Sequence, residues 1–331
     1  MSVTASAPGK AVLLGEYVVL DGAKALVMAC DRRCVASIGP ATGPECTLTT
    51  RMPDSETLAF SPQDRSGSPL IDAFLAHFAP EFAWEAWAAE VDSSAFFASG
   101  QKLGLGSSAA ALVAFAGACA AAAGVGTAPG LSSLIDCHRA FQGGSGSGID
   151  VAASLTGGIT EFRLGAERMP EVGSVRLPKS VGFAGIFAGG SASTPSLVRH
   201  YRQWTEEGNS QAVALRQRMF DVAEGGCAAV RENDGAAFVA AIDAYGECLV
   251  DLGHAIGADL VTGTHRRIGD LAGKFDLAYK VSGAGGGDVG IACGLDTGAM
   301  RAFSVAASDQ GFHVVPLTVD QHGLRIEEHA E

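Results

Sequence analysis

The stretch KLGLGSSAAALVA, Lys102 to Ala114, sets glycines and serines directly before an alanine-rich apolar run. Such a run favours helix. The first N–H groups of a helix lack internal partners, and its dipole leaves partial positive charge there. A bound phosphate answers both needs. Gly104 and Gly106, on either side of Leu105, let backbone approach an anion and take positive φ. Ser107 and Ser108 bring hydroxyls ahead of Ala109, and a serine can also ligate Mg²⁺. Lys102 supplies a full charge just upstream. Taken alone, the loop is equally a tight turn with a serine N-cap. GLGSSA also fits the dinucleotide fingerprint, but that pattern needs an acidic residue about 20 positions later, and none lies between Gly104 and Asp136. The Walker pattern G-x-x-x-x-G-K-[ST] is absent.

Three further stretches carry chemistry-bearing residues. VSGAGGGDVGIAC, Val281 to Cys293, holds Ser282, Gly283, Ala284 and a run of glycines beginning at Gly285. So many glycines are costly to order. They leave room for a ligand, or for another loop, against the backbone. APGKAVLLGEYVVL, Ala7 to Leu20, offers Lys10 after a Pro-Gly pair expected to turn it away from the strand. Glu16 stands among apolar residues and calls for a partner. QGGSGSGIDVAASLTGG, Gln142 to Gly158, places Asp150 behind a loop that contains Ser147 and Gly148. Asp150 reads either as an N-cap or as a carboxylate beside a phosphoryl acceptor. Phosphoryl transfer needs a positioning group, Mg²⁺ and cations that spread developing charge. A lysine beside such an aspartate keeps it ionised.

APGKAVLLGEY, GLGSSAAALVA and VSGAGGGDVGIA stand in the order and approximate spacing of the three motifs of the GHMP small-molecule kinases. The chain resembles that family over most of its length. The resemblance implies an α+β fold, with an N-terminal ribosomal-S5-like α/β domain (1–180) and a C-terminal ferredoxin-like domain (181–331). ATP with Mg²⁺ and a small-molecule substrate would occupy the cleft between them. It implies Asp150 as the catalytic carboxylate and Lys10 as its charge partner. Lys102, Gly104, Leu105, Gly106, Ser107, Ser108 and Ala109 would hold the nucleotide phosphates, with Ser108 contacting Mg²⁺ through ATP. Ser147, Gly148, His138, Ser282, Gly283, Ala284, Gly285 and Arg199 would face the acceptor. Arg139, His200 and Arg202 are further candidates for gripping an acceptor phosphate, although a solvated surface position explains each of these basic residues as well.

Cys137 to Gly158, the GAGGGD segment ending at Asp288, and SASTPSLV (Ser191 to Val198) are most similar to the branch whose acceptor is itself a phosphorylated acid. Two departures stand out. Gly144-Ser145 occupies a loop where that branch often carries lysine. His138-Arg139 stands where another branch carries a Mg²⁺-binding glutamate. The rival readings are another hydroxy acid or sugar as acceptor, a decarboxylase that first phosphorylates, and a non-catalytic ligand-binding regulator.

Several elements must position these residues. Apolar runs between Val3 and Ile38 predict strands, YVVLDG among them, with a hairpin turn at Asp21-Gly22. Residues 39–68 predict loops and weaker strands, and 84–97 strands. Helices are predicted over Pro69–Phe78, Ser107–Ala123 and Leu131–Gln142, the last capped by Ser132 or Ser133. After a short apolar segment, Ile149 to Leu155, VGFAGIFAGG predicts a strand. Helices follow within about 195–225, 233–252 and 258–273, then strand, glycine loop and strand over Tyr279–Cys293. A helix over about 297–309 and a last strand, HVVPLTV, complete the pattern, which indicates α+β architecture in two domains.

Bulk properties bound the function. With 331 residues, 47% hydrophobic and 18% charged, the chain has the balance of an ordered globular protein. A net charge of -13 argues against nucleic acid or an anionic membrane as partner. An anionic substrate must then be held by a local pocket. The sequence has no apolar run of about 18 residues and no charged-then-apolar leader, so a soluble cytoplasmic protein, monomer or homodimer, is expected. The eight cysteines form no C-x-x-C pair and read as buried free thiols.

Overall fold

The computed structural model describes residues 2–78, 85–125, 127–144, 146–190 and 194–328. Ser145 and Ser191 to Ser193, which the motif comparison touches, lie outside the described residues. Strand β1 (Val3–Leu14) alternates buried and half-buried positions at its start and is buried from Ala7 on except at Lys10, the pattern of a strand covered on both faces. It lies antiparallel to β2 (Ala25–Pro40) on one side and, on the other, to the last described strand, Arg325–Glu328. The register of β1 shifts between Pro8 and Gly9. The expected Pro-Gly turn is therefore a bulge, formed where Gly9 lies against the carbonyl of Leu105 and the Lys10 N–H donates to that same oxygen at 2.8 Å.

YVVLDG is not a strand. Gly15 and Tyr17 both take positive φ, which turns the chain out of the sheet. Val18–Asp21 form a 3₁₀ turn that ends at left-handed Gly22.

The first sheet is completed by β3 (Cys46–Arg51), β4 (Glu56–Phe60), β5 (Trp87–Asp92), β8 (Ile159–Leu164) and β9 (Pro170–Val175), with β6 (Phe97–Ala98) and β7 (Gln101–Lys102) a separate small hairpin. Among the described residues, only β3 and β5 pair in parallel. Helices α1 (Pro69–Phe78), α2 (Ser107–Ala122), α3 (Leu131–Phe141) and α4 (Ile149–Thr156) gather on this sheet, α2 and α4 directly against β1 and β2. Helix α2 is apolar all round and buried almost throughout. Gly117 lets Leu324 pass against it, just before the final strand.

Strands β10 (Gly182–Phe187), β11 (Ala278–Val281), β12 (Val289–Gly294) and β13 (His313–Val315) form a second, antiparallel sheet in the order β13-β10-β12-β11. This is the ferredoxin-like order. Between β10 and β11 run α5 (Thr194–Glu206), α6 (Ser210–Arg231), α7 (Gly235–Ala255) and α8 (Gly263–Gly273), and α9 (Thr297–Asp309) joins β12 to β13. HVVPLTV stops being a strand at Val315 because Pro316 has no N–H to donate. The last strand, β14, returns to the first sheet.

Helices α6 to α9 each begin with a side-chain N-cap, from Asn209, Asp234, Thr262 and Asp296 respectively. Helices α2, α3 and α4 begin instead at Gly106, Gly130 and Gly148, with no side-chain cap. The cap expected from Ser132 or Ser133 is thus not made. All eight cysteines are free and buried. Among the described residues, no helix is long and apolar enough to cross a membrane.

Candidate active site

A cavity of about 490 Å³ opens between the first sheet's helices and the glycine loop that precedes β12. Its first wall is the mouth of α2, where Gly104 and Gly106 hold φ of 77° and 78°. Gly106 must lack a side chain, because a Cβ there would stand 2.8 Å from Cγ of Lys10. Lys10 runs across this turn and donates from Nζ to the Gly104 carbonyl at 3.3 Å. Its ammonium also lies beside Gly283. One lysine thereby touches the first motif's strand, the phosphate-type turn and the third glycine loop.

The second wall is the mouth of α4. Asp150 is the second residue of that helix and not its cap; Gly148 caps it, in left-handed conformation. The Asp150 Oδ1 accepts from the Val151 N–H at 3.0 Å, in the first turn, where the helix dipole favours negative charge. Two helix starts without side-chain caps therefore face one cavity, lined by Gly106 and Ser108 from α2 and by Ser147 and Asp150 from α4. His138, on the last turn of α3, does not line it. Its ring is buried behind Ser108 and Asp150, with Nε2 3.1 Å from Ser108 Oγ and Nδ1 3.8 Å from Asp150 Oδ2.

The third wall is the segment after β11. The Val12 N–H donates to Ser282 Oγ at 2.8 Å, and that hydroxyl donates to Val12 O at 3.1 Å. Glu16 found its partner at the far end of the chain: it ion-pairs with Lys280, both buried, and its Oε1 also accepts from the Gly283 N–H at 3.3 Å. Burial pulls the Lys280 ammonium down from its ordinary value, and Glu16 opposes that shift. Tyr17 OH donates to Ala284 O at 2.5 Å. The consecutive glycines divide in purpose. Gly283 and Ala284 face the cavity. Gly285 presses on the Leu260 carbonyl and Gly287 on that of Gly189, and buried His265 donates from Nε2 to Gly287 O at 2.8 Å.

Asp288 was legible only as part of a motif, yet it is a cavity residue in its own right. It takes a left-handed φ of 59°, which Asp tolerates better than most side chains. Its carboxyl packs on Gly104, where a Cβ would stand 2.4 Å away. Burial raises its pKa, while Lys10 and Lys102 oppose the rise. Its Oδ1 is buried with no hydrogen-bond partner. Lys102 is exposed yet also lines the cavity; burial lowers its pKa, Asp288 opposes this and Lys10 adds to it.

The remaining candidates fall elsewhere. Leu105 and Gly148 lie in the turns, Ser107 and Ala109 in the first turn of α2, and none of the four lines the cavity. Arg199, His200 and Arg202 are exposed on α5 and outside it. Arg139 donates to the Gly146 and Ser147 carbonyls, each at 3.2 Å, and so braces the glycine-serine loop.

Among the described residues, no group of three His, Cys, Asp or Glu is placed to hold a metal unaided. Mg²⁺ needs less than that, since it keeps several waters and binds through one or two carboxylates plus substrate phosphates. The Asp150 carboxylate, the Ser108 hydroxyl and the orphaned Asp288 oxygen are hard donors of the right kind.

No protein-family model matches the chain. It is 28% identical over 344 residues to the phosphomevalonate kinase of Streptomyces sp. (strain CL190), covering 91% of each. It is 25% identical to the phosphomevalonate kinase of Saccharolobus solfataricus, covering 98% of this chain and 99% of that one. The structure of Streptococcus pneumoniae phosphomevalonate kinase in complex with phosphomevalonate and AMPPNP shares the fold, with a TM-score of 0.79 at 18% identity over 96% of this chain and 99% of that one. The fold and the full-length relatives are those of ATP-dependent small-molecule kinases. The chain has the mixed α+β fold of the GHMP kinases over its whole length.

Proposed function

We propose that this kinase transfers the γ-phosphoryl group of ATP to the phosphate of (R)-5-phosphomevalonate, giving 5-diphosphomevalonate, with Mg²⁺ as the nucleotide's cation. The single observation that carries the reading is the position of Lys10, which lies against the phosphate-type turn and beside Gly283 in a cavity that Asp150 also lines. The acceptor is favoured because both curated relatives bear that name.

A phosphate-oxygen acceptor is already anionic at neutral pH, so it needs no strong base. Asp150 then serves mainly to position the acceptor. Lys10 neutralises charge that spreads over the transferring group, and the N–H groups at the start of α2 cradle the donor phosphates. Mg²⁺ held by Asp150, Ser108 or Asp288 would supply charge neutralisation on the nucleotide.

The test is ADP release across a panel of phosphomevalonate, mevalonate, homoserine and galactose, with product mass measured. Asp150→Asn and Lys10→Met are each expected to lower turnover by about 10²-fold or more while ADP still binds. Near-normal rates in both variants refute the assigned roles. Turnover on another acceptor alone refutes the substrate, and ATP binding without ADP production on any acceptor favours a non-catalytic binder.

A further inference from the structure

The cavity's serine and its aspartate share a neighbour that is not in the cavity. His138 is 2% exposed, and its ring stacks at a tilt on Phe141, with centroids 5.8 Å apart. One ring nitrogen meets Ser108 Oγ at 3.1 Å and the other faces Asp150 Oδ2 at 3.8 Å. A carboxylate oxygen accepts, so the geometry favours the neutral tautomer whose proton sits on Nδ1, facing Asp150. In that tautomer Nε2 is an acceptor and the Ser108 hydroxyl donates to it. The serine proton is then turned inward, and the oxygen's lone pairs are left toward the cavity that Ser108 lines. A hydroxyl fixed this way is poorly suited to donate to a phosphate and well suited to ligate a cation.

We propose that His138 is a positioning residue, which commits the Ser108 proton to its own ring so that Ser108 presents an oxygen ligand to the nucleotide's Mg²⁺, and which steadies Asp150 from the same ring. The inference rests on the kinase reading above and deepens it. It chooses Ser108 over Ser107, since Ser107 is buried and does not line the cavity. Partners behind a metal's ligands typically hold about 10–100-fold of its affinity.

The test uses the full chain, with Mn²⁺ as the paramagnetic probe in the ADP complex, and compares three variants. His138→Leu keeps bulk and removes both polar contacts. His138→Gln places an amide oxygen near the Nε2 position, within reach of Ser108. His138→Asn reaches only the Nδ1 position. Metal-free ADP affinity in EDTA is expected to stay within about twofold of wild type in all three. Mn²⁺ affinity in the ADP complex is expected to fall about 10–100-fold in His138→Leu and His138→Asn, and to be largely restored in His138→Gln. The inference is overturned if His138→Leu binds Mn²⁺ like wild type, or if His138→Gln loses as much as His138→Asn. It is also overturned if metal-free ADP affinity and melting temperature fall together with Mn²⁺ affinity, the mark of a merely structural histidine. If His138→Leu does not fold, the Gln–Asn contrast decides. A wild type that binds no ADP removes the kinase reading itself, whereas a wild type that turns over beside an indifferent His138→Leu removes only this inference.

Discussion

Removing Lys280 should destabilise the protein far more than removing both members of its ion pair. The Lys280 side chain is fully buried and that of Glu16 is 3% exposed. Glu16 Oε2 already has no partner. In Lys280→Met the carboxylate would keep only the Gly283 N–H at 3.3 Å, and the lysine's bond to the Val12 carbonyl, also 3.3 Å, would go. Stranding one member of a buried pair costs about 3–5 kcal/mol, whereas replacing both by well-packed neutral groups is often close to neutral. Lys280→Met should therefore lose about 3 kcal/mol or more of unfolding free energy, roughly a hundredfold in the folded-to-unfolded ratio. Glu16→Gln combined with Lys280→Met should recover at least half of that loss. Urea unfolding followed by circular dichroism on the single and double variants measures both quantities. A Lys280→Met cost below about 1 kcal/mol, or a double variant whose cost equals the sum of the singles, would refute the reasoning.

Two further outcomes follow from the site. Gly106→Ala places a Cβ 2.8 Å from Lys10 Cγ at a φ of 78°. That strain costs about 1–2 kcal/mol, so ADP affinity, read by titration calorimetry, should fall about tenfold. Unchanged affinity would show that the turn does not hold the nucleotide. His265 has its pKa lowered by burial, with its bond to Gly287 O opposing. A folded value below the unfolded one, about 6.5, means that the group's contribution is intact above pH 6.5 and is lost as pH falls toward the folded value. Melting temperatures of wild type and His265→Gln should therefore converge on acidification from pH 7.5 to 5; parallel curves would contradict the assignment.

What was legible in the sequence was what is encoded locally. Helix α1 begins at Pro69, where a missing N–H costs nothing, and α9 begins behind the capping Asp296. The phosphate-type turn announced itself through glycines set against an apolar helix. What was not legible depends on partners distant in sequence. Strand β14 (RIEE) has no alternating apolar pattern and owes its existence to pairing with β1. Strand β9 (PEVGSV) is largely exposed and likewise depends on its neighbour β8. That Glu16 needed a partner could be read; that the partner was Lys280 could not. Asp288 left one trace, an acidic residue closing a glycine run, but its left-handed φ and its seat on Gly104 exist only once the second sheet has brought it there. His138 could be read as polar, while its direction, inward to Ser108 rather than outward to the cavity, is set by the packing of α3 on α4.

The charge inventory of the cavity limits how so acidic a chain would hold a polyanion. Lys10 and Lys102 line it, and so do Glu16, Asp150 and Asp288. Glu16 is answered by Lys280 outside the cavity lining, which leaves two lysines against two carboxylates. Side chains alone therefore give no surplus of positive charge, and the net charge of -13 supplies none from a distance. The attraction must come from short-range sources that a charge count does not register. The open mouths of α2 and α4 supply oriented N–H groups and partial positive charge, and a divalent cation carried in with the phosphates would convert Asp150 and Asp288 from repelling groups into ligands. Two carboxylates in a phosphate site are a defect without such a cation. With one they would anchor the nucleotide, and on the proposed reading the lysines would meet the charge that develops on the phosphoryl group.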